Sequence, residues 1–114
     1  MIEADQVETL AGEPDWIDTP SASGKGQQIA RCPSCRIALW SCYAGAGSRV
    51  RFVRVGTLDE PSQFPPDIHI FTSTKQPWIV LDPRTPAVPE YYDREKYWPA
   101  SSLARRRALL AQSS

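Results

Sequence analysis

The chain predicts a mainly β protein with one short helix at its C-terminal end, and three observations carry that prediction. Its 114 residues include 11 prolines and 6 glycines, an excess of chain breakers for a helical bundle. Its apolar residues fall into short runs of strand length, separated by clusters of Gly, Pro, Ser and Asp. Only SSLARRRALLAQ, near the end, is spaced like a helix. The length suits a single small domain.

Taken in order, residues 2–10 alternate loosely and end at Ala11-Gly12, where a turn precedes an extended segment around Trp16 and Ile17. PSASGKG, residues 20–26, reads as a hairpin tip, and residues 27–31 run extended into the first cysteine. Residues 36–43 form a second apolar run, and the Ala-Gly-Ala-Gly-Ser stretch after Tyr43 gives a further loop. Residues 48–55 are the clearest strand. Their period of two breaks between Phe52 and Val53, so either both faces are half covered or a bulge shifts the register there. Gly56 to Pro61 closes that strand, and Pro65-Pro66 blocks a helix before residues 67–72, a short strand with His69 and Phe71 opposite Ile68 and Ile70. Five prolines and five aromatics make residues 76–99 an irregular segment draped over the sheet. The final helix takes Ser101 or Ser102 as its N-cap and Leu103, Leu109 and Leu110 as its apolar contacts.

Thirteen basic residues balance thirteen acidic ones, and 41% of residues are hydrophobic, which excludes an acidic disordered tail and a histone-like basic binder. No apolar run approaches the roughly 18–20 residues that span a bilayer. The first residues lack the pattern of a secretory signal, so the expected compartment is the cytoplasm. The charges are nevertheless segregated. Residues 1–18 carry six acids and no base, while residues 19–58 hold Lys25, Arg31, Arg36, Arg49, Arg51 and Arg54 before the next acid. Neighbouring strands pairing across a sheet account for this; an anion-attracting surface is the functional alternative. Arg105-Arg106-Arg107 reads as a solvated helix face, so nucleic acid is not the expected partner.

The chemistry rests on three cysteines and one histidine. Cys32-Pro33-Ser34-Cys35 has the spacing of a zinc knuckle, in which one tight turn points two thiolates at one ion. A redox dithiol needs the first cysteine at a helix N-terminus, and here a strand-like run follows Cys35, which favours zinc over that reading or a chance pair. Cys42 reads as a small buried core residue. His69 reads as a partly buried histidine bonded to the sheet, although Cys42 and His69 are formally the two further ligands a Cys3His site would require.

The runs GKGQQIARCPSCRIALW, RVRFVRVGTLDEP and DIHIFTSTKQPWIVL, in this order, closely resemble the second half of the glutathione-dependent formaldehyde-activating enzyme (GFA) family, whose domain also occurs in centromere protein V. The resemblance covers roughly residues 2–95, so that 1–95 would be the GFA-like domain and 96–114 a helical tail. It implies an all-β, tent-like fold stitched by zinc, incomplete at the N-terminus and followed by the short C-terminal helix. It also implies a carbon–sulfur lyase relationship, in which formaldehyde and glutathione give S-(hydroxymethyl)glutathione.

Carried over by residue, the resemblance makes Cys32 and Cys35 half of the family's structural zinc site. The family's Cys-x-Cys partner pair and the Cys-x-Cys-x-x-Cys of its catalytic zinc have no counterpart here. They would lie upstream of Met1, the chain corresponding to the family's C-terminal part. No residue is therefore expected to be catalytic, and the chain alone is expected to be inactive as a lyase. Arg36 replaces the usual glycine after the second cysteine, a departure that counts against a tight turn. A half-site binds zinc weakly, so the expected partners are a second copy sharing one ion or an N-terminal fragment, with glutathione or a thiol adduct as substrate of the intact family. The alternative is a non-catalytic, zinc-stabilised binding or remnant module.

Overall fold

The computed structural model describes residues 1–112. It is mainly antiparallel β. Contacts divide the chain into two compact units, one covering Met1–Pro61 and the other Ser62–Ala111.

The first unit is a five-stranded sheet in the order β1-β5-β4-β3-β2, with β1 Ile2–Glu3, β2 Asp15–Thr19, β3 Gln27–Arg31, β4 Ala38–Tyr43 and β5 Val50–Val53. Strands β2 to β5 follow each other as hairpins, and β1 closes the sheet by pairing Ile2 with Arg51 and Glu3 with Val50. Residues 2–10 give only a two-residue strand. Ala4–Gln6 turn as a 3-10 helix closed by the Val7 N–H on the Ala4 carbonyl, because the small and polar residues there offer no continuous apolar face to a sheet. The predicted hairpin tip is present, and Gly24 and Gly26 supply it with positive φ angles of 78° and 80°.

Register decides which side chains share a face. Trp16, Ala30 and Trp40 lie side by side across β2, β3 and β4, as do Asp18, Gln28 and Cys42, and Val53 lies opposite Trp40. The Trp16 and Trp40 rings meet edge to face at 6.1 Å. On the other face Tyr43 meets Phe52 at 4.8 Å. Among the described residues the fully buried ones are few: Ile29, Ala30 and Cys42, with Ser41 completely enclosed and accepting a 2.8 Å hydrogen bond from the Arg54 guanidinium. The register irregularity lies between Ala30 and Arg31, opposite β4, and not within β5. All four β5 residues are half-buried, so the broken alternation of residues 50–55 reflects two half-covered faces.

The segregated charges meet across this sheet. Asp15 pairs in register with Arg31 and forms an ion pair with Arg36, while Asp18 accepts a hydrogen bond from Gln28 at 3.2 Å.

In the second unit no described residue is fully buried. Residues 67–72 do not form the expected strand: His69 and Ala87 make one isolated parallel bridge, with the His69 N–H on the Pro86 carbonyl at 2.8 Å. Phe71 then turns the chain at φ 53°, which breaks the extended geometry that the Ile-His-Ile-Phe alternation suggests. His69 is half-buried, bonded through its backbone to residues 86–88 and not to the sheet. Helix α1, Arg94–Tyr97, is capped by the Asp93 carboxylate, and its Arg94 lies 5.4 Å from the Trp98 ring centre. Burial raises the Tyr92 phenol to about 12 even though the Trp98 indole N–H donates to its oxygen at 2.7 Å. Helix α2 spans Ala100–Ala111. It begins before the serines expected to cap it, and the Pro99 carbonyl accepts from the Ser102 and Leu103 N–H groups. Among the described residues no helix is long and apolar enough to cross a membrane.

Candidate functional site

The turn joining β3 to β4 holds Cys32 and Cys35. The Cys32 N–H donates to the Ile37 carbonyl and the Arg36 N–H to the Cys32 carbonyl, both at 2.9 Å, closing the loop into a compact knuckle. A tight closure of this kind requires a left-handed residue, and Arg36 adopts it at φ 67°. The substitution of the usual glycine therefore leaves the turn intact, contrary to the expectation from the sequence. Two interactions hold the arginine there: its guanidinium pairs with Asp15 on β2, and its carbonyl accepts from Arg31 at 3.0 Å.

This loop lowers the Cys32 thiol below its ordinary value. The Cys35 N–H is the largest cause, followed by the Ser34 N–H and the Cys35 thiol; desolvation opposes them, and the Arg36 N–H adds the smallest share. A lowered thiol is more readily the thiolate, the form a metal takes. Cys32 is half-buried and Cys35 exposed, and neither is in a disulfide. These two residues suit two positions of a tetrahedral zinc site. Among the described residues no group of three or more His, Cys, Asp and Glu is placed to hold a metal.

Cys42 lies apart from the knuckle, buried on β4 as a core residue should be. Burial pushes its thiol up, and the charge of Arg51 partly offsets this. It also forms part of the wall of an open cavity of about 660 Å3, a feature absent from the sequence-based expectations. Asp18, Gln28 and Cys42 come from the sheet, Lys25 and Ser21 from the 20–26 loop, and Ser48 from the 44–48 loop. Two small-residue loops at the same end of a three-stranded meander were the available signal, because side chains of that size leave the sheet end uncovered.

Comparison with protein families matches residues 1–74 to the family described as glutathione-dependent formaldehyde-activating enzyme. Comparison with curated proteins and with solved structures returned no match.

Proposed function

Because the chain belongs to the glutathione-dependent formaldehyde-activating enzyme family, we propose that it is a zinc-knuckle module of that family, working on glutathione or its thiol adducts only when a partner completes it. The observation that carries this reading is the β3–β4 turn, which closes through the Cys32 N–H on the Ile37 carbonyl and the Arg36 N–H on the Cys32 carbonyl, with Arg36 in the left-handed conformation and both cysteines on the one bend. Cys32 and Cys35 supply two thiolates. Zinc bound there supplies a cross-link whose binding energy adds to folding energy. The remaining ligands come from a second copy sharing the ion or from an N-terminal fragment.

In this reading Cys32 and Cys35 act as structural metal ligands and take no part in carbon–sulfur bond chemistry, which would need a metal-bound thiol at a separate centre. The reducing cytoplasm is the compartment that suits three free thiols. Metal analysis of the purified chain tests the shared-ion form, which gives half an equivalent of zinc per chain, lost when Cys32 and Cys35 are both replaced by serine. Zinc-free protein whose Cys32 and Cys35 alkylate freely in native buffer removes the reading. Measurable conversion of formaldehyde and glutathione to S-(hydroxymethyl)glutathione by the chain alone removes its non-catalytic part.

A further inference from the structure

In the second unit, residues 78–81 form an apolar run that the chain leaves in water: Trp78 is 74% exposed, Ile79 43% and Val80 91%, with Leu81 half-buried after them. Consecutive exposed apolar residues of this kind are rare in a folded monomer unless something covers them. The run is also held in place. The Ile79 N–H donates to the Gln76 carbonyl at 3.0 Å, closing a turn with Pro77 at its second position, and the Lys75 ammonium donates to the Ile79 carbonyl at 3.1 Å. At the other end the Asp82 carboxylate pairs with Arg84. No charge interrupts residues 76–81. The segment lies past residues 1–74, those matched to the family.

The chain exposes 8470 Å2 in all. A folded monomer of 12.7 kDa exposes about 6,200 Å2, and two independently folded units dividing the mass as this chain does expose about 7,500 Å2. Even against the larger reference the excess is about 1,000 Å2 per chain, a little more than the roughly 800 Å2 that each partner gives to a stable interface. A second copy is the occupant that fits. Its 13 basic and 13 acidic residues cancel, so no net repulsion separates two copies. A two-fold axis crossing the run lays one apolar stretch against the other and covers both at once. It also sets the two segments in opposite directions, which brings Lys75 at the start of one toward Asp82 at the end of the other and keeps like charges apart. We propose that residues 78–81 are a self-association surface through which the chain forms a two-fold dimer, with Trp78 and Val80 at its centre. This dimer needs no metal, so it stands or falls separately from the shared-ion form of the zinc knuckle.

Sedimentation equilibrium of the full chain tests this, in reducing buffer with a chelator present and again with Cys32 and Cys35 both replaced by serine. The expected result in both cases is a reversible dimer of twice the 12.7 kDa chain mass, with a dissociation constant in the micromolar range or below. Added salt should not weaken it, because apolar burial drives it. Val80→Glu sets two carboxylates against each other across the axis and should leave a monomer, with an unchanged circular dichroism spectrum because this side chain is exposed in the chain itself. Trp78→Ala should raise the dissociation constant about thirtyfold or more, as truncation of a central aromatic anchor does. Leu10→Glu, at a leucine of the first unit that is 88% exposed, should change nothing. A chain that stays monomeric up to about 100 μM assigns the run to another occupant and overturns the proposal. So does a dimer that survives both Val80→Glu and Trp78→Ala, one lost on chelation, or one that Leu10→Glu disrupts equally.

Discussion

Replacing Arg36 separates the backbone of the knuckle from its ion pair. A non-glycine residue held left-handed costs about 1–2 kcal/mol, while glycine brings roughly 0.5–1 kcal/mol of extra chain entropy to the unfolded state. The Arg36–Asp15 pair has both side chains about half exposed, at 52% and 51%, and a pair of that kind contributes about 0–1 kcal/mol. Arg36→Gly and Arg36→Ala both delete the pair, so it cancels between them and only the conformational difference remains. The glycine variant should therefore be the more stable of the two by up to about 1.5 kcal/mol, a gap of up to several degrees in Tm for a unit of this size. Thermal melting under reducing conditions, followed by circular dichroism, measures it. The glycine variant should also retain zinc in competition with a chromophoric chelator at least as well as the wild type. An alanine variant that melts at or above the glycine variant would refute a left-handed residue 36, and with it the knuckle geometry.

Alkylation read by mass spectrometry should show Cys32 reacting at lower pH than Cys42, since the turn lowers the first thiol and burial raises the second. A lowered folded-state value means that the stability Cys32 contributes is complete above its unfolded value and is lost as pH falls through the lowered one; reversed order of reaction would contradict this. Ile29→Ala removes one of the three buried apolar residues among those described and should cost about 2–4 kcal/mol, enough to broaden or abolish the melting transition; a loss under about 1 kcal/mol would show that the core lies elsewhere.

The parts of the fold legible in the sequence are those decided by local chemistry. Gly24 and Gly26 announce the first hairpin tip, and β3 is bounded as the Gln27 to Arg31 run suggests. Cys42 is buried, as a small apolar residue in the middle of a strand run suggests. What failed depends on partners distant in sequence. The alternation at residues 67–72 promised a strand, but Phe71 turns the chain and only His69 finds a β partner. The break after Phe52 left open two half-covered faces or a bulge, and half-covered faces are what β5 has, the register irregularity lying instead in the β3–β4 ladder between Ala30 and Arg31. Cys32 and Cys35 were visible as a pair because a CxxC spacing carries its own turn, whereas the cavity beside Lys25 and Cys42 arises from two loops that become neighbours only once the meander is built.

Strand β1 meets β5 across a separation of about fifty residues, while the other ladders join neighbours in the chain. Short-range ladders form early because little loop entropy is lost in closing them, and the two-residue β1 has to wait for the rest. Hydrogen exchange should then find Ile2 and Glu3 least protected, and their fraying would bare the outer rim of β5.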